Sequence, residues 1–327
     1  MEADYTQLVR DFLRRVQYQP PPYHYDLGLE DTTVEYFASQ GFPVDFVNQL
    51  RPAIQWVAGF TLASYPRLSR EAQRGIAIYS AYVIVIDDRA AELAEDLQQF
   101  LHRLFQGQPS QSQLLRCFVR FLHQDLSAGY GQFARDMILK GPRISSRCGY
   151  PQYLRLKSGL PEVYAYLAFP TEACPEDPLL AILLPAIPEY MLFINAVNDI
   201  FSFYKESIIG DETTNFVSNL ALVNAMTPLQ AVEQVCQAAT AALHRTCGIL
   251  APAPSLQRTI DHFCHGYILY HLSQTRYRLN ELDLPEVQEV KALMKATLLS
   301  ESSEVEGHSE QRVVVQDHSG SSQASGF

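Results

Sequence analysis

Residues 198–206 read Asn-Asp-Ile-Phe-Ser-Phe-Tyr-Lys-Glu. Asn198, Ser202 and Glu206 stand at steps of four, and on an α-helix four residues turn by only about 40° and rise about 6 Å. An amide, a hydroxyl and a carboxylate oxygen therefore share one helix face. Lys205, seven residues after Asn198, returns to nearly the same face. Hard oxygen donors of this kind suit Mg²⁺, which usually shares its shell with waters and substrate phosphates. An ammonium is out of place in a plain cation site, but it fits where the metal carries an anion such as diphosphate. A solvated polar face is the competing reading. The flank argues against it, because residues 181–197 are mostly apolar all round, as in a buried helix. A polar cluster at the end of such a helix marks the rim of a cavity.

A second cluster has the same layout. The apolar run Val83-Ile-Val-Ile86 ends in Asp87 and Asp88, with Glu92 four residues beyond Asp88. Carboxylates at the C-terminal end of a buried helix face an unfavourable dipole. They become protonated or gather cations. Alone, this could be a surface acidic turn. Two apolar helices that each end in a ligand set can instead hold metal ions between facing helices of a bundle. A diphosphate also needs cationic donors. Arg155 lies in Tyr153-Leu-Arg-Leu-Lys-Ser-Gly159, and Arg276-Tyr277 follows a long helical stretch. Arginine forks match phosphate oxygens, and a phenol adds a donor. Each of these residues could alternatively serve a surface salt bridge.

The elements that must position these groups are helical. Apolar spacing predicts helices over 4–17, 44–64, 69–88, 91–106, 111–126, 129–140, 150–168, 176–207, 215–224, 228–248 and 256–280. Ser69-Arg-Glu-Ala carries a capping signature. Pro20-Pro21-Pro22 forces an extended break. Hairpin signals and alternating runs are absent, so the expectation is an all-α bundle. Neither a repeat nor a composition shift divides the chain. One domain is expected over 1–299, and the Ser-, Glu- and Gly-rich stretch 300–327 reads as a disordered tail. Val313, Val314 and Val315 are that stretch's only apolar segment and could dock elsewhere.

Bulk properties exclude some roles. The 327 residues carry a net charge of −11 and are 47% hydrophobic. That charge argues against nonspecific nucleic-acid binding and against a polybasic membrane segment. Cys117, Cys148, Cys174, Cys236, Cys247 and Cys264 show no CxxC spacing and read as reduced thiols. The start, Met1-Glu-Ala-Asp-Tyr5, lacks signal-peptide character. No apolar run is long enough to span a bilayer. The expectation is a cytoplasmic protein with no stable membrane association. A homodimer is left open.

The four separated pieces occur in the order in which one family carries them: Asp87-Asp-Arg-Ala-Ala-Glu92, Arg155 ahead of Gly159-Leu160, Asn198 through Glu206, and Thr275-Arg-Tyr-Arg-Leu279. The chain resembles class I terpene cyclases, and most closely the fungal trichodiene synthase-like group. The resemblance spans roughly residues 80–280. It implies a single-domain all-α bundle around a central apolar cavity, with three Mg²⁺ ions. It implies that Asp87, Asn198, Ser202 and Glu206 bind metal, and that Arg155, Lys205, Arg276 and Tyr277 grip the diphosphate. Glu92 stands where many members carry aspartate, so Asp88 and Glu92 are left between ligation and a supporting salt bridge.

The chemistry implied is ionisation of an allylic diphosphate, with metals and cations neutralising the leaving group. The carbocation must then be kept from water, and aromatic faces can stabilise it. Helical spacing below the ligands points to Tyr79, Val83, Met191 and Ile194 as cavity wall, with Phe60, Trp56 and Phe193 as further candidates. Core packing is the alternative for each. Farnesyl diphosphate and a sesquiterpene product follow from the resemblance, while geranyl and geranylgeranyl diphosphate stay open. A chain-elongating prenyltransferase shares the fold and metals but normally carries a second aspartate-rich motif where this chain has Asn198 to Glu206. A non-enzymatic helical interaction protein is a further alternative. A zinc site from His262, Cys264 and His265 has only local spacing in its favour.

Overall fold

Side-chain caps set four of the described helix starts, at Asp26, Ser69, Asn215 and Thr227. Ser69 Oγ accepts from the amide of Ala72 at 3.2 Å, and Asn215 Oδ1 accepts from that of Ser218 at 2.9 Å. Thr227 and Gln230 form a reciprocal capping box. Such caps satisfy amides that have no partner within the helix. The computed structural model describes residues 1–140, 155, 159–171 and 176–297. The expected tail at 300–327 lies outside the described residues, as do Tyr153, Leu154 and Lys157. Among the described residues there is no strand.

The helices are α1 (Glu2–Arg15), α2 (Leu27–Ser39), α3 (Val44–Ser64), α4 (Arg70–Asp88), α5 (Ala94–Phe105), α6 (Gln113–Gln124) and α7 (Gln132–Lys140). They continue as α8 (Leu160–Leu167), α9 (Glu176–Leu183), α10 (Ile187–Phe203), α11 (Phe216–Val223), α12 (Pro228–Leu250) and α13 (Pro254–Ser273). A further helix, α14, spans 285–297. Two of these, α2 and α14, are additions to the sequence expectation. Gly28 and the β-branched run Thr32-Thr33-Val34 weaken the helical signal of α2, and Asp26 starts the helix by accepting from the amide of Gly28 at 3.0 Å.

Three expected helices are interrupted. The stretch 176–207 divides into α9 and α10, with Pro185 in the break and Pro188 in the first turn of α10. Proline cannot donate to the previous turn and suits the first turn of a new helix. The stretch expected to run through 168 contains a break at Gly159, whose φ of 71° is left-handed. The last expected helix, 256–280, stops at Ser273, and Thr275–Tyr277 forms a single 3₁₀ turn.

The core is a layered bundle. Helix α10 packs most extensively on α12, and α3 packs on α4 and α13. At the α3–α13 crossing, a β-carbon on Gly266 would fall 1.8 Å from the carbonyl oxygen of Ala63. The missing side chain is what lets the two backbones touch there. Helix α1 buries Tyr5, Val9 and Phe12 against α10 and α12. Tyr5 donates to the carbonyl of Ile200 at 2.7 Å and stacks on Tyr204 at 6.0 Å. It thus braces α10 just where the helix changes geometry: Tyr204–Ile208 is a π-helical turn. Turns of this kind are frequent at functional sites.

Candidate active site

Asp87, Asn198, Ser202 and Glu206 all line one cavity of about 580 Å³. Asp87 comes from the C-terminal end of α4, and the other three come from α10 and its π turn. Ser202 is buried, and Asn198 and Glu206 are half-buried. Asp87 keeps solvent access, yet its carboxyl pKa is raised. Burial among protein atoms is the main cause and Asp88 the next, against the pull of Arg276 and Lys205. The α4 and α10 walls of the cavity therefore share one electrostatic environment. Among the described residues no group of three or more His, Cys, Asp and Glu is placed to hold a metal. The set is instead mixed, two carboxylates with an amide and a hydroxyl, all hard oxygen donors.

The four cationic or phenolic donors, Arg155, Lys205, Arg276 and Tyr277, line the same cavity. Each cation rests on a partner. Arg155 grips the buried Asp199 through two bonds, Nη2 to Oδ1 at 2.7 Å and Nε to Oδ2 at 3.2 Å. It also donates to Asn198 Oδ1 at 3.0 Å. Burial pushes the Asp199 carboxyl up to about 6 even though Arg155 pulls it down, and Glu206 adds to the rise. Lys205 pairs with Glu206 at 3.3 Å and lies over the Tyr277 ring at 5.8 Å. Arg276 lies over the Trp56 indole at 5.3 Å. Two of the metal-type oxygens, on Asn198 and Glu206, are thus held by the site's own cations.

Below this polar rim the wall is aromatic and apolar. Phe60, Tyr79, Val83 and Ile194 line the cavity, together with Tyr164, Tyr267, Tyr270 and Phe118. Phe60 is the hub, with ring centroids 5.0 Å from Tyr164, 5.4 Å from Tyr270 and 5.8 Å from Tyr267. Met191 and Phe193 are buried in the surrounding core and do not line the cavity. Trp56 is not wall either; it supports Arg276. Asp88 and Glu92 stay off the wall, and Glu92 lies 3.9 Å from Arg89 on the exposed surface. His265 accepts from the amide of Gln19 at 3.3 Å and stacks on Tyr18, while Cys264 is buried in the core.

Several residues escape the sequence reading. Asp199 was in view beside Asn198 but points one step around the helix, where it clamps Arg155. Glu212 reaches the cavity from the loop after the π turn, and helical periodicity cannot find a loop residue. Phe263, Tyr267, Tyr270 and His271 do carry a signal, since they fall at helical spacing ahead of Arg276-Tyr277. His271 is fully buried, 4.5 Å from both the Tyr267 and Tyr277 rings. Its Nδ1–H donates to the Tyr267 carbonyl at 2.7 Å, and its Nε2 has no partner. Burial holds it neutral, with its pKa lowered to about 3.

Residues 44–297 match the family model described as trichodiene synthase. The chain is 34% identical over 315 residues to an (E)-beta farnesene synthase of Metarhizium brunneum, covering 89% of this chain and 95% of that one. It is 31% identical over 301 residues to the terpene synthase BipA of Cochliobolus sativus, covering 84% and 88%. Among solved structures, the linalool/nerolidol synthase of Streptomyces clavuligerus superposes with a TM-score of 0.59 at 14% identity, covering 78% of this chain and 99% of that one. That likeness is one of fold.

Proposed function

Since the chain belongs to the trichodiene synthase family and is therefore a terpene synthase, we propose that it is a sesquiterpene synthase acting on farnesyl diphosphate. As a carbon–oxygen lyase it breaks the allylic C–O bond, releases diphosphate, and lets the cation cyclise or eliminate to a hydrocarbon or alcohol. The observation that carries this reading is the two-part cavity, with hard oxygens and cations at one rim and aromatic faces below. Its volume of about 580 Å³ suits one small-molecule ligand. The names of the relatives, (E)-beta farnesene synthase among them, support a farnesyl substrate. The complex of the Streptomyces neighbour with 2-fluorogeranyl diphosphate supports a prenyl diphosphate in general.

Magnesium fits the donor set. Asp87 sits in protein surroundings that disfavour its charge unless a cation is near. Asp87, Asn198, Ser202 and Glu206 would hold the metal, which when bound neutralises charge on the leaving diphosphate. The chain's own groups do the rest. Arg155, Lys205, Arg276 and Tyr277 bind the diphosphate oxygens and orient the C–O bond. Phe60, Tyr164, Tyr267 and Tyr270 offer ring faces to the cation. The apolar wall keeps water from it. Burial raises the pKa of Tyr79, Tyr164, Tyr267 and Tyr270, so these phenols stay protonated and do not serve as bases. The last proton goes to the diphosphate, a water or a main-chain carbonyl.

The reading includes a cytoplasmic setting. It is supported by the free thiols of Cys117, Cys236, Cys247 and Cys264, and by the fact that no described helix is long and apolar enough to cross a membrane. The test is gas chromatography–mass spectrometry of products from geranyl, farnesyl and geranylgeranyl diphosphate with Mg²⁺, with and without isopentenyl diphosphate. A C15 terpene from farnesyl diphosphate is expected. Longer diphosphates would establish chain elongation instead, and no Mg²⁺-dependent diphosphate release from any substrate would end the enzymatic reading.

A further inference from the structure

The turn that carries Lys205 and Glu206 is closed by a residue with no side chain. After the π turn, Ile209 N donates to the Tyr204 carbonyl at 3.1 Å, and Glu212 N folds back to the Glu206 carbonyl at 2.9 Å. Ser207 Oγ donates to the Glu212 carbonyl at 2.9 Å, and Asn215 Nδ2 donates to Ser207 Oγ at 2.7 Å. Gly210 lies in the crook of this fold. A β-carbon there would stand 2.6 Å from the carbonyl oxygens of both Lys205 and Glu206, and 3.1 Å from the carbonyl carbon of Glu206. Gly210 is not among the glycines with positive φ, so the requirement is for space and not for a special dihedral angle.

We propose that Gly210 is a positioning residue for the Glu206 carboxylate and the Lys205 ammonium, acting through the main chain of the π turn. This rests on the reading of Glu206 as a metal ligand and Lys205 as a diphosphate donor. The atoms a β-carbon would meet are backbone, so no rotamer change can clear them. The two carbonyls would have to retreat by roughly half an ångström, about the tolerance within which a functional constellation must be held. The same movement would strain the 2.9 Å bond from Glu212 N, which brings Glu212 to the cavity. A displacement of about 1 Å can cost on the order of 100-fold in rate.

The experiment compares Gly210→Ala with Gly248→Ala, whose β-carbon would meet nothing within 4 Å. Mn²⁺ binding is followed by electron paramagnetic resonance in the presence of inorganic diphosphate, alongside circular dichroism and the Mg²⁺ dependence of turnover. The expected result is that Gly210→Ala keeps its helical spectrum but binds Mn²⁺ about 10-fold more weakly. Its half-saturating Mg²⁺ rises in step, and Gly248→Ala matches the wild type. Ser207→Ala removes, without a clash, both bonds its hydroxyl makes in the fold-back, to the Glu212 carbonyl and from Asn215 Nδ2, and shifts Mn²⁺ binding the same way by about 2- to 5-fold. A folded Gly210→Ala with wild-type Mn²⁺ affinity would overturn the proposal. If that variant does not fold, unchanged Mn²⁺ affinity in Ser207→Ala overturns it instead. Because the readout is metal binding, the Gly210 role can fail while the wild type still makes terpene, and it can stand if the substrate proves to be different.

Discussion

Replacing His271 with asparagine should flatten the acid side of the stability curve. His271 is fully buried between the Tyr267 and Tyr277 rings, and its pKa is lowered from 6.5 to about 3, chiefly by burial, with Lys205 adding to the fall. An unfolded histidine takes up its proton near 6.5. Between the two values the unfolded chain binds more protons, so this group's contribution is complete above 6.5 and is lost as pH falls towards 3. At about 1.4 kcal/mol per pH unit, the loss comes to about 2 kcal/mol between pH 7 and 5. Asp199 acts with the opposite sign. Its raised pKa of about 6 makes its contribution grow as pH falls through the same region, which hides part of the effect in the wild type. The difference between two proteins removes that overlap. Asparagine places an amide nitrogen near Nδ1 and carries no proton to titrate, so its packing cost is the same at both pH values. Urea unfolding of wild type and His271→Asn at pH 7 and pH 5 should show the stability gap narrowing by about 2 kcal/mol at the lower pH. Parallel losses in the two proteins would refute the neutral, desolvated state assigned to His271.

Asp87→Asn and Glu206→Gln should each reduce turnover by about 100-fold or more, with thermal unfolding nearly unchanged. Full activity in both would remove the metal assignment. Trp56→Leu takes the indole from under Arg276 and should weaken inhibition by inorganic diphosphate by roughly 2- to 5-fold, while Trp56→Phe restores part of it. An unchanged inhibition constant in Trp56→Leu would show that the stacking has no role. Because Asn198 and Glu206 are held by Arg155 and Lys205, Mg²⁺ and diphosphate should raise the melting temperature together far more than either does alone. Additive shifts in differential scanning fluorimetry would count against that coupling.

Much of the site was legible because its chemistry follows helical periodicity. Asn198, Ser202 and Glu206 fall on one face by spacing alone, and Tyr79, Val83 and Ile194 reach the cavity as their helix positions suggest, with Phe60 beside them. Met191 and Phe193 have comparable spacing but lie in the core, because α10 is apolar all round and period alone does not say which neighbour it faces. Trp56 was read as wall and proved to be the bed of Arg276. That contact joins α3 to a 3₁₀ turn more than 200 residues later, which no local pattern encodes. The π turn is equally silent in the sequence, since its residues keep ordinary helical composition. The breaks at Pro185 and Gly159 had visible causes. Helix α2 was missed because a good cap at Asp26 offset a poor helical interior.

The brace from Tyr5 to Ile200 also has a bearing on how the chain is made. The two residues are 195 positions apart, and Phe12 meets the Phe201 ring at 6.2 Å. Helix α1 leaves the ribosome well before α10 and α12, and the surface that covers Tyr5, Val9 and Phe12 does not exist until those two have been synthesised. At about 5–20 residues per second, an apolar helix face stays uncovered for on the order of 10–50 s. The segment that steadies α10 in the finished protein is therefore one the nascent chain must shield for most of its synthesis, and docking of α1 is a natural late step in acquiring a competent site.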